Sequence, residues 1–208
     1  MTFERGEAAE QGPISLTADT VNATIGTLQM QGIPVERKVL HEILSGFLEG
    51  SDWVLQKFSW PDRPPVRVVS FGDNTGTKAA FYSTLDKSVS INAAALSFYQ
   101  GSTLVPGEVG IAFPGIPENE HPAVSVRQFY EMVGVQETVH YLQDHGAQDL
   151  THMKNHQPLS PDEGLLAYWS QPLKQEALHQ AGRFFMEKYG NNPFAAVEAS
   201  LSFNPPRK

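Results

Sequence analysis

An α+β fold is predicted by three observations. Apolar residues recur at spacings of three and four in long segments near both ends of the chain, which is the helical period. Between them lie short β-branched runs, Val66-Arg67-Val68-Val69-Ser70-Phe71 and Ser88-Val89-Ser90-Ile91-Asn92, bounded by Gly, Asn, Asp and Pro. A long helical segment, Ala123 to Asp144, follows the last of these runs. A small sheet packed on long helices is the expected result.

The totals narrow the function classes. At 208 residues the chain is long enough for one large domain with a sizeable core. A net charge of −8 disfavours nucleic-acid binding, because phosphate contacts need a basic surface. The chain has no cysteine, which excludes disulfides, Cys-ligated zinc and thiol nucleophiles. His, Asp and Glu remain as metal-capable side chains. No apolar run reaches the ~20 residues of a membrane span, and Met1 to Gln11 lacks the apolar stretch of a signal peptide. The expectation is a cytoplasmic protein that binds neither nucleic acid nor membrane.

The elements follow in order. Residues 1–15 are polar and read as a flexible leader, and 204–208 as a tail, leaving 16–203 as one domain with a helical part at 16–60. Leu16, Val21, Ile25 and Leu28 form a first helical stripe. A second helix follows Pro34, with Val39, Leu40, Ile43, Leu44, Phe47 and Leu48 on one face, and Gly50 reads as its stop. Pro61-Asp62-Arg63-Pro64-Pro65 is a rigid connector. A strand over 66–71 and a turn at Gly72-Asp73-Asn74-Thr75-Gly76 come next. Ala79-Ala80-Phe81-Tyr82 and 88–92 then read as a hairpin, followed by a short helix over 93–99.

The stretch 101–121 is rich in Pro and Gly and reads as loop, with a short strand near 109–113. In the helix predicted over 123–144, Gly134 costs roughly 1 kcal/mol relative to Ala, which suggests close approach of another backbone. A polar connector carries His152 and His156. Further helices are expected over Leu165 to Trp169, Leu173 to Tyr189 and Phe194 to Leu201.

The chemistry centres on Gln136-Glu137-Thr138-Val139-His140. Residues four apart share a helical face, so the side chains of Gln136 and His140 lie together with Glu137 beside them. This is the HExxH pattern with glutamine in place of the first histidine. In HExxH two imidazoles hold Zn²⁺ and the glutamate acts as general base on bound water. A glutamine amide oxygen is a much weaker zinc ligand than imidazole.

Downstream stands Tyr168-Trp169-Ser170-Gln171-Pro172-Leu173-Lys174-Gln175-Glu176-Ala177. Together the two segments resemble a zincin-like zinc metallopeptidase of the gluzincin type, over roughly residues 79–189. The resemblance implies a small, mostly antiparallel sheet on an active-site helix and a second, ligand-bearing helix. It implies Glu137 as general base, Tyr168 as a donor to the oxyanion, and Gln136, His140 and Glu176 at the zinc-ligand positions. The strand ending in Ile91-Asn92 would lie along the cleft and pair with an extended peptide.

Two departures stand out, Gln136 at a ligand position and Lys174 where an acidic residue is frequent. A positive charge beside the site disfavours a cation. His179, three residues after Glu176, is a candidate replacement ligand or a solvent-facing residue. Three readings follow: a metallopeptidase-like protein with an altered metal site that holds a peptide or protein in its cleft, with zinc bound or absent; an active zinc peptidase; or a structural domain in which Glu137, His140 and Glu176 form a buried polar network.

Overall fold

The structure, a computed structural model, describes residues 36–69, 79–92, 108–110, 122–153 and 165–202, with 25, 26 and 29. The leader, the tail, most of the first helical stripe, the turn over 72–76, the helix expected over 93–99, most of the loop 101–121 and His156 lie outside these residues. The described part is α+β.

Three long helices carry the core. Helix α1 spans Arg37–Lys57. It runs through Gly50, so the expected stop is corrected. The reason is packing. A Cβ on Gly50 would collide with the main chain at Glu131, and one on Gly134 would collide with the Phe47 carbonyl. Gly46 meets the Arg127 carbonyl in the same way. These glycines let two helix backbones touch, and contact of that kind outweighs the ~1 kcal/mol helix penalty of each. Close approach at Gly134 is as the sequence suggests.

The strands follow: β1 Val66–Val69, β2 Ala80–Ser83 and β3 Ser88–Asn92. They form one sheet in the order β1-β3-β2. β2 and β3 are the expected antiparallel hairpin, with Tyr82 opposite Val89. β1 joins β3 in parallel, Val66 opposite Val89, so the sheet is mixed. β3 is therefore central and buried along its whole length. It is paired on both sides, and the expectation that this strand accepts a peptide by strand addition is corrected.

A second, two-stranded antiparallel sheet pairs β4, Glu108–Gly110, with β5, Ala123–Ser125. Residues 123–125 are thus strand where helix was expected. Helix α2 begins after them and spans Val126–His145. Its start is fixed by a reciprocal cap. The Ser125 hydroxyl accepts from the Gln128 N–H, and the Gln128 side chain accepts from the Ser125 N–H. It ends at Gly146 in left-handed conformation, φ 72°.

Helices α3, Leu165–Trp169, α4, Pro172–Tyr189, and α5, Ala195–Ser202, complete the chain. α1 and α4 pack on α2, and β2 lies against its C-terminal half through Tyr82. Leu40, Ile43, Phe47 and Val54 of α1 meet Tyr130, Val133, Val139 and Leu142 of α2 and Ala177, Leu178, Ala181 and Phe185 of α4 in one core. Among the described residues no helix is long and apolar enough to cross a membrane.

Candidate functional site

Helices α2 and α4 run antiparallel, so the C-terminal half of α2 faces the N-terminal turn of α4. This brings His140 to Lys174 and Gln143 to Glu176. The site joins residues about thirty positions apart because Pro172 opens α4 opposite the last turns of α2.

His140 is 4 % exposed. Its Nδ1 lies 2.8 Å from Gln143 Oε1. The Gln143 amide nitrogen donates to the Leu173 carbonyl at 3.3 Å and to Glu176 Oε2 at 2.7 Å. The oxygen of Gln143 is thereby turned to the imidazole, and Nδ1–H donates to it. The proton on Nδ1 leaves Nε2 as an acceptor. Lys174 Nζ stands 2.9 Å from that nitrogen and donates to it. The Lys174 ammonium also lies 4.9 Å from the centre of the Tyr168 ring. Burial and the neighbouring ammonium push the His140 pKa down to about 3, against the weaker opposing effect of the Gln143 hydrogen bond. His140 is neutral at pH 7.

Gln136 is half-buried one turn before His140 on α2, and its Nε2 is buried without a hydrogen-bond partner among the described residues. Glu137 is half-buried beside it. Glu176 Oε2 accepts from Gln143 and also from the Thr151 N–H at 2.9 Å. Tyr168 supplies a ring face to Lys174 and makes an edge contact with Trp169 at 5.5 Å. His179 lies one turn after Glu176 on α4. It is exposed and lies 3.5 Å from Glu198 of α5, so it does not join His140 and Glu176. His152 is exposed in the connector, outside any helix.

The arrangement of these residues does not fit the zinc that the HExxH-like pattern implies. A zinc ligand must offer a lone pair, and the one on His140 Nε2 accepts from an ammonium. Oε2 of Glu176 is committed to two N–H donors. Among the described residues no group of three or more His, Asp or Glu converges in a metal-binding geometry.

Two further polar clusters along α2 were not anticipated from the sequence. At the C-terminal end of α2, Asp144 accepts from Tyr82 OH and Lys87 Nζ, each at 2.6 Å, and ties the hairpin to the helix. Lys87 and Tyr82 hold the Asp144 carboxyl below its usual pKa despite burial. At the N-terminal end, Glu131 is fully buried and accepts from Arg127 at 3.2 Å, Lys188 at 2.9 Å and Tyr189 at 2.7 Å. Arg127 also donates to Glu49 at 2.7 Å, and Lys188 pairs with Glu49. A shallow groove of about 700 Å³ lies beside this cluster, between α1 and α4. Most of its charges pair within the chain, Arg63 with Asp52 and Arg127 and Lys188 with Glu49, while Glu187 accepts from the Trp53 indole N–H. The Arg127–Glu131 spacing of four was readable as a helical pair, but the partners from α4 were not.

Comparison with known protein families, with characterised proteins and with solved structures finds no match to this chain.

Proposed function

We propose that this chain is a metallopeptidase-like protein that works without metal catalysis and holds a peptide or protein partner beside the QExxH helix. One observation carries the metal-free part: the imidazole nitrogen that a zinc site needs accepts from Lys174 at 2.9 Å. The peptide partner rests on the resemblance of the two motif segments. Glu137 then has no metal-bound water to activate, and Tyr168 serves Lys174 rather than an oxyanion. The expected result is binding of extended peptides from a random library, unchanged by chelator, with no cleavage above that of Glu137→Gln. Chelator-sensitive cleavage abolished in Glu137→Gln contradicts this and restores the active zinc peptidase.

A second reading is favoured by the completeness of the network. His140 and Gln143 are both nearly fully buried, and both imidazole nitrogens are satisfied. The network therefore also serves as a structural joint between α2 and α4, whatever the partner. This reading expects His140→Ala to lower stability while leaving ligand binding, in the fraction that folds, unchanged.

A further inference from the structure

We infer that Lys174 is a tethered cation standing where the HExxH-like site would hold its metal, so that the site keeps its charge and its fold with no ion bound. The inference deepens the metal-free reading above.

Three observations meet at one atom. The Lys174 ammonium donates to His140 Nε2, the same lone pair a metal would take. It lies over the face of Tyr168, whose π-electrons favour a cation. Among the described residues no carboxylate lies within ion-pair distance of it, so its partners are a neutral imidazole and a ring. A surface lysine has water or an acid for company. This one is half-buried and directed at a histidine that is itself almost fully buried.

The rest of the site agrees. Glu176 is two residues from Lys174 on α4, and its Oε2 binds Gln143 and Thr151. The Gln143 amide links the carboxylate to the imidazole. The polar groups thus form one chain from Thr151 through Glu176, Gln143 and His140 to Lys174. Within it the Glu176 carboxylate and the Lys174 ammonium are separated by the neutral Gln143 and His140 side chains. In a metal site the ion would supply the positive charge, and here the chain supplies it covalently.

The account separates two causes of metal loss, the missing imidazole at 136 and the ammonium at 174. Zinc is titrated into four purified, folded proteins: wild type, Gln136→His, Lys174→Ala and the double variant. Cobalt(II) absorption serves as a second probe of four-coordinate binding. Gln136→His alone is expected to stay without stoichiometric zinc although it restores the HExxH motif. The double variant is expected to bind about one zinc per chain, at least roughly 100-fold more tightly than Gln136→His, because a like charge at contact distance has been removed. Adding His140→Ala to it abolishes that binding.

Stoichiometric zinc in Gln136→His with Lys174 intact overturns the inference, as does a folded double variant that binds no more tightly. A measurement on wild type does not depend on the variants folding. The ¹⁵N signal of His140 Nε2 is expected to keep its unprotonated position under millimolar zinc, and a zinc-induced shift overturns the inference. Peptide binding is measured separately, so failure of the partner reading leaves these outcomes unaffected.

Discussion

At the scale of single residues, His140 decides most. Its pKa in the fold is about 3, against 6.5 for the free side chain. Between those values the unfolded chain takes up a proton that the folded chain refuses, so stability falls as pH falls from 6.5. Each pH unit in that window costs up to about 1.4 kcal/mol from this group. Urea denaturation at pH 7 and pH 5 checks it: His140→Gln is expected to lose about 2 kcal/mol less than wild type over that interval. Equal losses contradict a buried neutral imidazole. His140→Ala is expected to destabilise by about 3 kcal/mol at pH 7, since it leaves Lys174 and Gln143 without their partner. Gln136→Leu is expected to be neutral or stabilising, because the amide nitrogen it removes is buried and has no hydrogen-bond partner among the described residues.

His140 was singled out by its helical spacing from Gln136 and Glu137, and Glu176 by the resemblance alone; the structure links these two through Gln143. The role of Lys174 was legible only as a charge of the wrong sign for a metal. Its contact with His140 depends on how α4 is set against α2, which no local pattern encodes. No role for Gln143 was read from the sequence. It reads as an ordinary residue at the polar end of a helix, and its part is set by the carboxylate and carbonyl brought to it from α4.

At the scale of elements, the α1–α2 contact is the most tightly specified. Gly50 and Gly134 touch main-chain atoms of the facing helix. Gly134→Ala would gain about 1 kcal/mol in helix propensity on an isolated helix. Here the added methyl meets the Phe47 backbone, which cannot rotate away, so steric cost wins. The expected loss is about 3 kcal/mol, read as a lower denaturation midpoint. A stabilised Gly134→Ala protein contradicts backbone contact. The same contact explains why Gly50 misleads as a stop signal: glycine ends helices for conformational reasons, but here it is used for its size.

The strands show the opposite balance. The bounds of β3 follow from its own residues, Ser88 to Asn92, by alternation and β-branching. Its position does not, because a parallel neighbour can come from a distant segment, and β1 takes that place. β5 hides for a related reason. Ala123-Val124-Ser125 is too short to carry a period, and only its pairing with β4 makes it a strand.

At the scale of the whole molecule, two buried polar clusters lie toward opposite ends of the α2–α4 pair. Glu131 with Arg127, Lys188 and Tyr189 closes one end, and His140 with Gln143, Glu176 and Lys174 closes the other. Apolar packing between them supplies most of the stabilisation, and the polar ends set which residues face each other. Glu131→Ala is expected to cost roughly 3 kcal/mol, since it leaves a buried hole, removes the acceptor of Tyr189 and leaves Arg127 and Lys188 with only their more exposed acidic partners. Thermal unfolding of Glu131→Ala and Glu131→Gln checks it, with the glutamine variant expected to lose less. The α+β class, the long helices and the hairpin were readable from the period of apolar residues. The polar ends were not, because each joins residues that lie far apart in the chain.

The central claim is that this site stands without metal. The most direct measurement is thermal unfolding of the purified wild-type protein with its metal content determined, repeated with excess zinc and with chelator. A ligand that binds only the folded state raises the midpoint, and its removal lowers it. The account predicts no stoichiometric metal and one unchanged midpoint in all three conditions. About one zinc per chain, with a midpoint that falls on chelation and a response lost in His140→Ala, would contradict it.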